Sequence, residues 1–248
     1  MRKLLNFSFW LATVPLLYFA CRIFVVDWFH IDSDSMSPTY SPGDRIYVNK
    51  LLFGARIYTG TGFSDPGGPR SFRMPGLRKI RPDDVVVFNY PYGNGNWEKI
   101  EFRMNNVFCK RVLGTPGDTV TVRDGKYYNL TKDCSVGNLS MQEKVMEMGE
   151  HYFLMRGAFY TIPLETQSWN VLSMGPLPVP SKGMKVHLDT FTRGLYLNAI
   201  EYEGGNPYGS DYEFRHDWYF VVGDNAPDSQ DSRYFGFVPE KFIIGIVH

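Results

Sequence analysis

The sequence predicts a mainly β protein, an antiparallel-sheet body with an inserted subdomain carried on one N-terminal transmembrane helix. Three observations predict it. Leu4 to Val26 is an apolar stretch of about the length a bilayer needs, interrupted near its far end by Arg22. The rest of the 248-residue chain holds short apolar runs punctuated by Gly, Pro, Asn and Asp. Aromatic residues reach 16%, through 19 Phe and 16 Tyr, which suits strands and a body resting at a membrane interface.

Taken in order, Met1-Arg2-Lys3 is a basic flank that holds the N-terminus in the cytoplasm and places everything after the span outside it. Residues 1–3 are thus read as a cytoplasmic N-terminus and 4–26 as the anchor, with Arg22 snorkelling toward headgroups. A cleavable leader would need a small-x-small site, and "YFACR" is a poor one because Phe19 precedes Ala20 and Arg22 follows. "DRIYVNKLLF" alternates like a strand; "DDVVVFNYP" is a more buried run stopped by Pro91. "NNVFCKRVLG" is a third strand, ended by the Thr115-Pro116-Gly117-Asp118 turn. "TVTVRDGKYY" is a hairpin about Asp124-Gly125, and "DWYFVVGDN" and "KFIIGIV" supply strands near the end. Residues 55–76, rich in Gly and Pro, read as an exposed loop. Beyond the anchor only Met141 to Met148 suggests a helix, a short one. The catalytic or binding body is assigned to 27–125 and 206–248, with 126–205 inserted.

Bulk charge excludes one class of partner. Lys plus Arg equals Asp plus Glu at 26 each, so nothing draws the chain to nucleic acid. Neither the three cysteines, read as free thiols, nor the five scattered histidines have metal-ligand spacing.

The chemistry centres on "HIDSDSMSPTYSPGDRIYVNK", residues 30–50. In an extended segment side chains alternate, so Ser33 and Ser35 would share a face with Ile31 while Asp32 and Asp34 point away. A serine hydroxyl needs a base, and no histidine stands in a suitable setting. Lys110, in an apolar strand with Phe108 on its own face, is the alternative. A free lysine amine titrates near 10.4, leaving roughly one molecule in a thousand deprotonated at neutral pH, and burial can depress that value by several units. A strand-edge gatekeeper is the plain reading of such a lysine taken alone.

A third segment, "VVGDNAPDSQDSRYFGFVPE", changes the balance. Together "SMSPT" with "GDRIYVNK", "KRVLGTPGD" with the upstream "DDVVVFNYP", and "GDNAPDSQDSRYFGFVP" resemble the type I signal peptidases, the Ser-Lys leader peptidases, in order and behind the right anchor. The resemblance covers the anchor and residues 29–50, 83–91, 109–120 and 222–247. It implies a signal-peptidase-like catalytic fold and a membrane-bound serine endopeptidase that removes signal peptides from exported preproteins after small-x-small motifs. Ser35 matches the nucleophile and Lys110 the general base. Ser33 matches the hydroxyl that joins the Ser35 N–H in the oxyanion hole. Ser229 matches the serine that bonds and orients the lysine amine, and Asp231 and Arg233 a supporting ion pair. Phe29, Ile31, Met36 and Phe108 fall where the family lines shallow pockets for the −3 and −1 side chains. The implied partners are preproteins and the lipid bilayer, the place is the bacterial cytoplasmic (inner) membrane, and no metal or cofactor is needed.

One departure bears on specificity: the family usually reads Pro-Ser-Gly before the nucleophile, and this chain has Asp32-Ser33-Asp34. Two other readings compete. A self-cleaving Ser-Lys repressor would need a DNA-binding region where the apolar stretch lies. A non-catalytic, anchored β domain that binds exported chains would have little reason to keep Ser33, Ser35, Lys110 and Ser229 together.

Overall fold

The computed structural model describes residues 2–63, 65, 67–93, 97–147, 169–170 and 172–248, with residues 2–9 and 12 described by backbone alone. A helix, α1 (Arg2–Phe24), leads into β1 (Val26–His30) and β2 (Arg45–Asn49). After a one-turn helix α2 (Lys50–Phe53) come β3 (Arg56–Tyr58), β4 (Ser71–Arg73), β5 (Val85–Asn89) and β6 (Val107–Gly114). The middle of the chain forms β7 (Thr119–Arg123), β8 (Lys126–Asn129), β9 (Cys134–Ser135), α3 (Leu139–Glu147), β10 (Ser173–Pro178), β11 (Lys185–His187) and α4 (Thr190–Tyr202). The chain closes with β12 (Asp211–Glu213), β13 (Trp218–Val222), α5 (Ser232–Phe235), β14 (Val238–Pro239) and β15 (Ile243–Val247).

Every strand pair described is antiparallel. The main sheet runs β1-β2-β15-β5-β6-β13-β14, and a second runs β10-β7-β8-β9. The smaller sheet includes β7, so the hairpin at Asp124-Gly125 straddles residue 126, where the insertion was expected to begin. Both turn residues have positive φ, 49° and 72°, as a two-residue hairpin of this hand requires. Period-two alternation splits the main sheet between two apolar layers. Val86 and Phe88 enter the large core, while Val87 joins a small cluster with Ile31, Ile46 and Val48.

Five expectations are corrected. The stretch read as a span through Val26 is helical only to Phe24, because Val26 already pairs with Asn49 in β1–β2. Among the described residues no helix is long and apolar enough to cross a membrane. Arg22 does not snorkel: its Nε donates to Asp27 Oδ1 at 2.9 Å, and Lys50 Nζ donates to the Arg22 carbonyl at 2.7 Å and to Asp27 at 3.0 Å. This knot fastens the end of α1 to the body. "DRIYVNKLLF" is a strand only to Asn49, whose side chain then caps α2 by accepting from Leu51 and Leu52 N–H. The 55–76 loop contains the hairpin β3–β4. Arg56 donates to Asn89 Oδ1 at 2.7 Å, and Arg73 donates to the Ile243 carbonyl at 2.6 Å, so two guanidinium groups stitch the hairpin to the body.

The fifth is α4, a 13-residue helix where none was expected. Asp189 accepts from Thr192 N–H at 2.7 Å while Thr192 Oγ1 accepts from Asp189 N–H at 3.0 Å, a reciprocal cap readable as D-x-x-T. Phe191, Gly194 and Tyr196 obscured the helix through poor propensity. Burial of Leu195, Tyr196, Ala199 and Ile200 compensates. The short helix expected at Met141 to Met148 is α3; Met148 lies outside the described residues. The three cysteines are free thiols.

Past α4, Glu203 is buried and gathers four donors: Tyr212 OH, Arg215 N–H, Trp218 Nε1–H and His216 N–H at 2.7 to 3.1 Å. Burial alone would raise its carboxyl, but His216 and these donors hold it below the usual range. Its stabilising contribution is therefore complete above an unfolded value of about 4.3 and fades as pH falls through the lower folded value. Glu203→Ala should cost about 3 kcal/mol by orphaning buried donors. Urea unfolding at neutral pH against pH 3 should show that cost shrinking in acid.

Candidate active site

The chain leaves β1 and turns instead of continuing extended. Ser37 N–H donates to the Asp34 carbonyl at 2.8 Å, and Gly43 N–H to the Ile31 carbonyl at 2.8 Å, closing residues 31–44 into a loop. Ser35 sits in this turn with Met36 buried behind it. The alternation argument for Asp32 and Asp34 therefore does not hold. Both acids are exposed and both line the cleft in which Ser35 lies.

That cleft, about 750 Å³, contains Ser33, Ser35, Lys110, Phe29, Ile31, Met36 and Phe108 in its lining. Lys110 projects from β6, two register steps from the Phe108–Phe88 pair, opposite Val86. Its side chain is in a residue only 3% exposed, and its Nζ lies 2.5 Å from Ser35 Oγ. Phe108 places its ring centroid 5.5 Å from the same nitrogen. Burial pushes the amine below the ordinary lysine value, winning over the opposing negative charges of Asp231 and Asp224. Each unit of such lowering gives about tenfold more free base at fixed pH, for about 1.4 kcal/mol. Ser33 Oγ is 3.2 Å from Ser35 Oγ.

Asp231 and Arg233 form a fully buried two-point pair, Nε to Oδ1 and Nη2 to Oδ2, each 2.9 Å. Burial would raise the carboxyl, but the Arg233 charge, its hydrogen bonds and the Gly223 N–H hold it down; the carboxylate in turn holds the guanidinium up. Ser229 is placed differently from the expectation. Its hydroxyl is buried but makes no hydrogen bond of ordinary geometry among the described residues, so the expected bond to the Lys110 amine is not formed. Ser229 Oγ lies against Gly223, where an added Cβ would fall 2.0 Å from it and 2.5 Å from the Ser35 carbonyl. Gly223→Ala should thus push the nucleophile loop away from β13. We expect kcat for a peptide substrate to fall at least about tenfold, since small misplacements of reacting groups are costly, and stopped-point peptide cleavage measures it.

Sequence reasoning missed the clamp that holds the loop. Asp224 accepts from Thr39 Oγ1 at 2.5 Å and from Arg111 Nε and Nη2 at 2.7 and 2.6 Å. Asn225 N–H donates to the Ser35 carbonyl at 3.1 Å, and its Nδ2 to the Asp34 carbonyl at 3.3 Å. Arg111 adjoins Lys110, so one carboxylate ties the nucleophile's loop to the base's strand. The available signal was an acid in "GDN" and a base in "KRV", opposite charges in segments already expected to meet.

A hydroxyl held against a buried amine in a partly apolar cleft is equipment for acyl transfer through serine, with lysine as base. The family described as signal peptidase, peptidase S26, matches residues 4–248. Signal peptidase I of Buchnera aphidicola subsp. Baizongia pistaciae is 28% identical, over 94% of this chain and 72% of that protein. Signal peptidase I of Aquifex aeolicus is also 28% identical, over 90% and 75%. A crystal structure of a signal peptidase I from Enterococcus faecalis is 22% identical and covers 70% of this chain and all of that one, with a TM-score of 0.35.

The chain belongs to the signal peptidase family, peptidase S26. Its activity is the cleavage of signal peptides from preproteins.

Proposed function

We propose that Ser35 is the nucleophile and Lys110 the general base of this peptidase, acting on preproteins with small side chains at −3 and −1. The 2.5 Å approach of Ser35 Oγ to a buried Lys110 Nζ carries the reading. Neutral Lys110 takes the Ser35 proton as Oγ attacks the scissile carbonyl. Ser33 and the Ser35 N–H stabilise the oxyanion, a contribution of several kcal/mol in comparable holes. The ammonium then protonates the departing amine, and Lys110 activates a water that hydrolyses the acyl-enzyme. Asp231, Arg233, Asp224 and Asn225 hold the two reacting segments in register. Phe29, Ile31, Met36 and Phe108 form the apolar wall that receives small side chains.

The remaining assignments belong to the same reading. The apolar part of α1, from Leu4 to Phe24, anchors the enzyme in the bacterial cytoplasmic membrane as a single pass, with the N-terminus in the cytoplasm and the body outside. Exposed Trp10, Leu11, Leu16, Leu17 and Phe19 on α1 support this, as do basic Arg2 and Lys3 at its start. Residues 126–205 are an insertion in a catalytic body made of 27–125 and 206–248. The test is processing of a purified preprotein in detergent, with N-terminal sequencing of the product. A single new N-terminus after a small-x-small site supports the assignment, and an uncut preprotein refutes it.

A further inference from the structure

We propose that Asp32, Asp34 and Asp228 make this cleft favour substrates with a basic residue near the scissile bond, at a position other than −3 and −1. The inference rests on the proposed function and names a substrate subclass for the same site. All three carboxylates line the cleft that holds Ser35 and Lys110. They reach it from two segments: Asp32 and Asp34 flank Ser33, and Asp228 closes the turn that begins at Asn225, whose N–H donates to the Ser35 carbonyl. The nucleophile is bracketed by negative charge.

Nothing in the lining offsets that charge. Among the described residues of the lining there is no arginine, Lys110 is the one lysine and works as a neutral amine, and His30 is the one histidine. Cys109 is kept protonated, its thiol pushed up to about 12 by burial. Among the described residues none of the three carboxylates forms an ion pair or accepts a hydrogen bond. The carboxylates that pull most on the Lys110 amine are Asp231 and Asp224, not these three. No group of acids, cysteines or histidines among the described residues could hold a metal ion. The charge is therefore available to a peptide lying in the cleft. The apolar wall selects small side chains, and the acidic rim attracts Lys or Arg and repels Asp or Glu at neighbouring positions.

The experiment uses the full chain in detergent and three peptide substrates that differ only in Lys, Gln or Glu at one position near the scissile bond, positions other than −3 and −1 scanned in turn. At low salt the ratio of kcat/KM for the Lys over the Glu peptide should reach about tenfold at one or more positions. It should shrink toward one at high salt, where the charges are screened. The ratio should likewise shrink in Asp32→Asn/Asp34→Asn and in Asp228→Asn. A wild-type ratio near one at every position overturns the inference, as does a ratio insensitive to salt. Cleavage of the Gln peptide with no Lys preference sinks this inference alone; failure to cleave any of the three sinks the proposed function with it.

Discussion

Lys110→Met should reduce preprotein cleavage by at least about a thousandfold while leaving the protein as stable as before, or more so. The loss follows from removing the amine that lies 2.5 Å from Ser35 Oγ, since an unassisted hydroxyl is a poor nucleophile. The stability follows from the amine's surroundings. It is buried at 3% exposure, and burial penalises its charged form. A thioether of similar length fills the same space without that penalty. Ser35→Ala should abolish cleavage as fully. The wild-type acid limb should rise with pH and reach half-maximum below 10.5, the value of a free lysine, because only the neutral amine is competent. Robust cleavage by either purified variant, beside an unchanged thermal melt, would remove the dyad from consideration.

Breaking the buried ion pair should cost the most stability of any single change considered. Asp231→Asn or Arg233→Met leaves one uncompensated partner in a fully buried site, for about 3–5 kcal/mol each. The double variant Asp231→Leu/Arg233→Met should recover most of that loss, because no lone charge remains. The two single variants should part company in activity. Asp231 favours the ammonium form of Lys110 and Arg233 disfavours it. Losing Asp231 should therefore move the acid limb of kcat/KM to lower pH, and losing Arg233 should move it to higher pH. Denaturant titrations and pH-rate profiles on the same preparations check both halves. Equal shifts in one direction would show that the pair acts on the base through packing and not through charge.

Strands were legible where a short apolar run or side-chain alternation met a turn residue. Val85–Asn89 and Val107–Gly114 are apolar runs buried within the sheet, and the Asp124-Gly125 hairpin shows the two-residue period of a pleated strand. The helix at Thr190–Tyr202 was not, since its propensity is poor and its stability comes from packing; only its capping pair left a mark. Residues 31–36 misled more instructively. Ser33 and Ser35 do share the cleft, yet the segment is a turn, and Asp32 and Asp34 are in the cleft with them.

By itself the sequence determined which groups could react: a serine without a histidine, a lysine embedded in a β run, and a third polar segment in the right order. Tertiary structure decided that the two atoms meet, that Asp224 clamps Thr39 from 185 residues away, and that Ser229 turns against Gly223 instead of the amine. The physical reason lies in range. Periodicity records whether a local side chain faces core or solvent. A polar loop takes its shape from hydrogen bonds to distant partners, and no local pattern registers those.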